Sequence, residues 1–147
     1  MRRLVTGTDS EGRSCVVEDV ELGPTLASPG FERHVIFRSE QSPPPARPTG
    51  QGGFFDMEVD SGCVLWYFTW MDGGSEWEVP YHHTDTIDIG VLLEGSIELV
   101  LADGAHRVEA GDCFVVNGDD HSWRVGPDGC RMCSTSIGTP PPLPEGS

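Results

Sequence analysis

The feature that most constrains this chain is a series of short apolar segments separated by glycine and aspartate between Tyr81 and Arg124. Residues 96–101 alternate apolar and mostly polar side chains, the two-residue period of a strand with one buried face. Asp103-Gly104 and Asn117-Gly118 are typical turn sequences. Short strands with turns about every 8–12 residues predict an all-β sandwich or barrel. No window has a sustained helical period, so we predict almost no helix.

The other segments are organised around this core. With 147 residues we expect one domain over 1–147. Residues 1–22 read as an N-terminal β-hairpin, and residues 60–137 as the barrel core. Residues 42–53 are rich in proline and glycine, which predicts an exposed connection or a flap over the barrel mouth. We expect an extended tail over 138–147.

Residues able to carry chemistry lie at both ends of the central stretch. His82, His83, Asp85 and Asp88 stand near its start, and His121 stands near its end. Two imidazoles and a carboxylate on neighbouring strands are the usual composition of a mononuclear metal site. The alternative is that these histidines only satisfy hydrogen bonds in the core. We expect His83 to be exposed or partner-facing, and His106 to lie at the surface.

These residues resemble the two sequence motifs of the cupin superfamily. Cupins are small, antiparallel β-barrels of the jelly-roll type that often hold a metal, and this chain is similar to short single-domain members. The positions that correspond to the motifs are His82, Thr84, Asp88 and Gly95 in the first motif and Gly111, Gly118 and His121 in the second. The chain departs from the pattern with Thr84 for a second histidine, Asp88 for a glutamate, Glu76 for a glycine and Val125 for an asparagine.

The resemblance implies a location for a metal site. On one straight strand, residues six apart lie roughly 20 Å apart, so the chain must turn near residues 84–86, as it does in cupins. A divalent metal, Fe(II) or Zn(II), would then be held by His82, Asp88 and His121. His121 and Asp88 are the candidate catalytic residues, with Glu76 as a reserve for acid–base work.

Aromatic residues are candidates for substrate binding. Trp66, Phe68 and Trp70 share one face of a strand, and Tyr67 and Thr69 share the other. Either face could line a pocket together with Trp123 and Thr84, because small-molecule sites have mostly apolar walls with a few polar groups. Aromatic stripes of this spacing are more often part of a core, and this alternative stays open.

Composition excludes some functions. The chain has 9 basic and 24 acidic residues and a net charge of −15, which argues against binding to nucleic acid. No run approaches the ~20 apolar residues of a membrane helix, and no signal peptide is recognised, so we expect a cytoplasmic protein without a membrane partner. The five cysteines predict free thiols, and we interpret Cys130 and Cys133 as structural.

Three hypotheses about function follow. The first is a metal-dependent enzyme that acts on a small organic molecule by lyase chemistry (decarboxylation or dehydration) or oxygenase chemistry, in specialised metabolism, as the resemblance implies. The second is a small-molecule-binding module without turnover. The third is a degenerate barrel that acts through dimerisation. We expect a homodimer, because two-fold dimers are common and the resemblance suggests that the hairpin lies at the interface.

Overall fold

More than half of the described residues lie in strands. The computed structural model describes residues 1–46, 50–73 and 79–142, and within these ranges it contains no helix. These ranges therefore include no helix that could cross a membrane. The strands, in order, are β1 Arg2–Thr8, β2 Ser14–Glu21, β3 Leu26–Ser28, β4 Phe31–Arg33, β5 Gly53–Phe54, β6 Val64–Met71, β7 His82–His83, β8 Thr86–Leu101, β9 Gly104–Glu109, β10 Cys113–Val116 and β11 Ser122–Gly138. The prediction of an all-β fold is confirmed.

Seven of these strands form one sheet. Its order is β2-β1-β10-β8-β11-β6, and β9 pairs with β8 beside this path. Strands β8 and β11 pair antiparallel over most of their length, with the ladder interrupted between Val125 and Cys130. Gly95 lies within β8 and has a φ of 74°. An added Cβ there would lie 1.9 Å from the Gly129 carbonyl oxygen, so both the angle and the close approach require glycine.

The sheet is mixed rather than purely antiparallel. The N-terminal hairpin β1–β2 is antiparallel, as predicted, but β1 pairs parallel with β10. Strands β2 and β6 stand at the two ends of the strand path, and in the described residues they do not pair with each other. The sheet therefore remains open where a complete barrel would close.

The core is one cluster of buried apolar residues contributed by the strands of this sheet. Ile97, Leu99 and Leu101 are all buried, which confirms the alternation expected from the sequence. Phe114 is the largest fully buried side chain, and its ring packs over Gly90 of the neighbouring strand. All five cysteines are free thiols.

Candidate functional site

The two predicted site histidines meet across the fold. His82 in β7 and His121, just before β11, exchange two main-chain hydrogen bonds, with His82 N donating to His121 O at 2.9 Å and His121 N donating to His82 O at 2.8 Å. Their ring centroids are 4.3 Å apart. Two residues that are distant in sequence are thus brought together by backbone pairing, and their imidazoles lie side by side.

Main-chain carbonyls determine the tautomer of both imidazoles. His82 Nδ1 lies 2.7 Å from the Pro80 carbonyl oxygen, and His121 Nδ1 lies 2.8 Å from the Asp119 carbonyl oxygen. A carbonyl oxygen only accepts, so each Nδ1 carries a hydrogen, and in the neutral form of each imidazole the lone pair lies on Nε2. Burial, followed by the charge of neighbouring His82, lowers the pKa of His121 to about 4. His121 is therefore neutral at physiological pH.

Both imidazoles line a cavity of about 220 Å³ on one face of the sheet. Its walls are mainly apolar and aromatic, with a few polar side chains at one end. The lining residues are Phe55, Met57, Tyr67, Thr69, Met71, Val79, His82, Asp88, Phe114, His121, Trp123, Met132 and Ser134. This composition is typical of a site for a small organic molecule.

Asp88 provides the carboxylate in this cavity. Its Oδ1 accepts hydrogen bonds from Ser136 Oγ at 2.5 Å and from Thr86 Oγ1 at 2.8 Å. Burial raises its pKa, and the Ser136 and Thr86 hydroxyls and the charge of His82 partly oppose that rise. Asp88 therefore binds a proton more readily than an exposed aspartate does.

The fit of a metal to these residues is partial. In metal-binding histidines the nitrogen that does not coordinate usually donates to a carbonyl or carboxylate, and His82 and His121 both have this arrangement. However, no three His, Cys, Asp or Glu side chains among residues 1–46, 50–73 and 79–142 are grouped closely enough to hold one ion. The two imidazoles suit a metal, whereas Asp88 does not complete a group of three with them.

The segment after the proline-rich stretch covers the cavity. Asp120 accepts hydrogen bonds from the amides of Gln51 at 2.6 Å and Gly52 at 2.9 Å. The chain then pairs parallel with β7, and the Phe55 ring lies 5.3 Å from the His82 ring. Gly53, at the end of the stretch predicted to be an exposed connection or a flap, therefore lies in a short strand instead. The segment provides one wall of the cavity.

His83 differs from the expectation of exposure. It is only 9% exposed, because Phe54 packs against one side of its ring at 5.8 Å and Asp120 approaches Nδ1 at 3.6 Å on another. Nδ1 has no hydrogen-bond partner within the described structure. His106 is partly exposed and contacts Asp103, which agrees with a surface position.

The candidate substrate-binding residues divide between two faces of the sheet. Tyr67 lines the cavity, and so does Trp123, whose ring lies 6.0 Å from His121. Trp66 and Phe68 lie on the opposite face, 71% and 44% exposed, and do not line the cavity. Of the two strand faces left open by the sequence, the structure thus directs Tyr67 inward. Thr84 is buried beside Thr86 rather than in the cavity wall.

The remaining candidate, Glu76, lies outside the described residues. Sequence reasoning also missed Ser136 and Phe55. Ser136 is fully buried behind Asp88 and Tyr67, and no motif or periodicity distinguishes it from neighbouring polar residues. Phe55 could have been suspected only from its position directly after the predicted flap.

A larger and more open depression of about 560 Å³ lies on the other face of the sheet. Its walls come mainly from residues 34–37 and from the outward side chains of β8, β10 and β11. It contains neither of the paired histidines nor Asp88. Size alone would favour this depression, but the convergence of polar groups favours the smaller cavity as the functional site.

Comparison with protein families and curated proteins gives consistent matches. Residues 71–141 match the model of the AraC-like ligand binding domain. The chain is 31% identical over 134 residues to the "Cupin-domain-containing oxidoreductase fogC" of Aspergillus ruber, covering 82% of this chain and 62% of that protein. It is 48% identical over 69 residues to "Phomopsin biosynthesis cluster protein C'" of Diaporthe leptostromiformis, covering 46% and 35%. The chain thus spans less than two thirds of the length of these relatives.

Solved structures with a similar arrangement are more distant. A cupin-2 domain-containing protein from Shewanella frigidimarina aligns with a TM-score of 0.42 at 19% identity, covering 49% of this chain and 68% of that one. A putative ethanolamine utilization protein from Salmonella typhimurium aligns with a TM-score of 0.37 at 13% identity, covering 95% and 98%.

Proposed function

We propose a function from the premise that residues 71–141 form a cupin domain of the AraC-like ligand-binding type. In this proposal the protein binds a small organic molecule in the cavity of about 220 Å³ and acts on it with a divalent metal held by His82 and His121. The observation that carries this proposal is that two adjacent imidazoles line one cavity, with each Nδ1 bonded to a main-chain carbonyl. Other coordination positions would be left to solvent and substrate.

The reaction class follows from the relatives. One relative is named an oxidoreductase and another belongs to a biosynthesis cluster. We therefore favour oxygenase chemistry, in which dioxygen oxidises a specialised metabolite, over lyase chemistry, and Fe(II) over Zn(II), since zinc has no redox chemistry. When bound, such a metal would polarise a substrate oxygen or take part in electron transfer.

The protein's own residues have separate tasks in this proposal. Asp88 exchanges a proton with the substrate, because its buried carboxyl group has a raised pKa. Trp123 and Phe55 hold an apolar or aromatic ring against the histidines. The Phe55 segment also excludes water from the cavity. The neutral state of His121 keeps its Nε2 available.

Metal analysis tests this proposal. Tag-free wild-type protein, loaded with Fe(II) without oxygen and then desalted, should retain about one equivalent by inductively coupled plasma mass spectrometry. His82→Ala and His121→Ala should each lose it, and His106→Ala, which changes a histidine bonded to Asp103 outside the cavity, should keep it. Equal metal content in all four proteins would refute the proposed ligands.

The second candidate is a binding module that holds a small molecule without a metal. The observation that favours it is the lack of a third protein ligand near the two imidazoles in the described ranges. A protein that retains no metal but is stabilised against thermal unfolding by small aromatic compounds would support this candidate.

A further inference from the structure

A chain of hydrogen bonds runs from the cavity wall into the protein. Tyr67 Oη lies 3.1 Å from Ser136 Oγ, and Ser136 Oγ lies 2.5 Å from Asp88 Oδ1. Ser136 is fully buried, so solvent does not compete for its hydroxyl. The three side chains come from β6, β11 and β8, which are adjacent in the sheet. All three side chains of this hydrogen-bond chain are therefore held by strands of the sheet and not by a loop.

The direction of the hydrogen bonds can be deduced from the Asp88 end. The oxygens of the Asp88 carboxylate only accept, so both Ser136 and Thr86 donate to Oδ1. The single hydrogen of Ser136 is thus used toward Asp88. The contact between Ser136 and Tyr67 then requires Tyr67 to donate.

This direction of donation determines which atom Tyr67 presents to the cavity. The phenolic hydrogen of Tyr67 points into the wall, and what remains for a bound molecule is an oxygen lone pair. Burial, followed by the charge of Asp88, raises the pKa of Tyr67, whereas the Ser136 and Ser134 hydroxyls oppose that rise. The phenol therefore keeps its hydrogen at physiological pH.

We propose that Tyr67 is a specificity-determining residue: Asp88, acting through Ser136, holds the Tyr67 hydroxyl as a hydrogen-bond acceptor, so that the cavity selects small aromatic molecules with an O–H or N–H donor. This inference rests on the proposed function, because it assumes that the cavity binds a small organic molecule. Ser136 is a positioning residue in this arrangement. A molecule of the same shape that lacks the donor forgoes a hydrogen bond to Tyr67 Oη and binds less tightly.

Two matched probes test the selection: phenol, which has a donor, and anisole, which has only an acceptor oxygen. Affinities are measured by ligand-observed NMR titration for the wild type, Tyr67→Phe, Ser136→Ala and a control, Tyr81→Phe. Tyr81 also has a hydroxyl bonded to a serine, Ser14, but it does not line the cavity. Wild type and the control should bind phenol about 2- to 12-fold more tightly than anisole, the range of one net hydrogen bond.

The two cavity variants should differ in a way that a structural role would not produce. Tyr67→Phe should weaken phenol binding and leave anisole binding unchanged, so that the ratio of the two affinities approaches one. Ser136→Ala should let Tyr67 donate into the cavity, which strengthens anisole binding. Equal loss of both probes in each variant would overturn the inference.

The same titrations separate this inference from the proposed function. Equal binding of phenol and anisole to the wild type would refute selection by Tyr67 and leave the cavity as a ligand site. If neither probe binds to the wild type, the cavity is not a site for small aromatic molecules, and the inference falls together with that part of the proposed function.

Discussion

Replacing Gly90 by alanine is the most direct test of how Phe114, which lines the cavity, packs against β8. Gly90 lies opposite Phe114 in the β8–β10 ladder, and the Phe114 ring covers it. An added Cβ would lie 2.3 Å from Cζ and 2.8 Å from Cε2 of that ring. The ring would have to move, but Phe114 is almost fully buried and packs edge-on against Trp123 at 5.2 Å.

We expect Gly90→Ala to lower the free energy of unfolding by about 1–3 kcal/mol, the range for an overpacked core. For a domain of this size this corresponds to a decrease in Tm of roughly 3–10 °C. Urea titration followed by circular dichroism measures the free energy. Because Trp123 contacts the displaced ring, its fluorescence maximum in the native state should also shift.

A control and a rescue variant make the reasoning refutable. Gly23→Ala adds a Cβ with nothing within 4 Å and should change stability by less than about 0.5 kcal/mol. Phe114→Leu removes the clashing ring atoms, so the double variant should be more stable than the sum of the two single changes predicts. If Gly90→Ala is as stable as Gly23→Ala, or if the two changes simply add, the close packing of Phe114 on Gly90 is refuted.

Two further predictions concern the edges of the structure. Arg2 donates to both carboxylate oxygens of Asp19 at 2.8 and 3.0 Å, and this bonding lowers the pKa of Asp19. The free energy of unfolding of the wild type should therefore exceed that of Asp19→Asn by about 0.2–1 kcal/mol at pH 7. This difference should be lost as the pH falls below about 4, and a difference that persists at pH 2 would contradict a stabilising ion pair between Arg2 and Asp19. Asp120→Ala removes the acceptor for the amides of Gln51 and Gly52, so hydrogen exchange at these amides should accelerate, while an unchanged rate would show that Asp120 does not hold the segment.

The sequence was informative where local pattern and topology agree. The alternation over residues 96–101 predicted a strand with one buried face, and Ile97, Leu99 and Leu101 are buried. It could not decide which face of β6 turns inward, because aromatic residues occupy both. The neighbouring strand β11 decides this, since Ser136 bonds to Tyr67 and Trp66 is left outside.

The rest of the site depends on contacts that no local pattern reveals. His83 was expected to be exposed because it alternates with His82 along the strand. It is buried because a segment some thirty residues earlier in the sequence, around Phe54, packs against its other side. Similarly, the hydrogen-bond partners of the two site histidines are backbone atoms of Pro80 and Asp119, which depend on the path of the chain rather than on side-chain type.

The use of backbone oxygens to orient both imidazoles has an evolutionary consequence. Every residue type has a carbonyl oxygen, so substitutions at positions 80 and 119 that preserve the course of the chain leave the histidine tautomers unaltered. The side chains around the pair can then diversify while the orientation of the two imidazoles is kept.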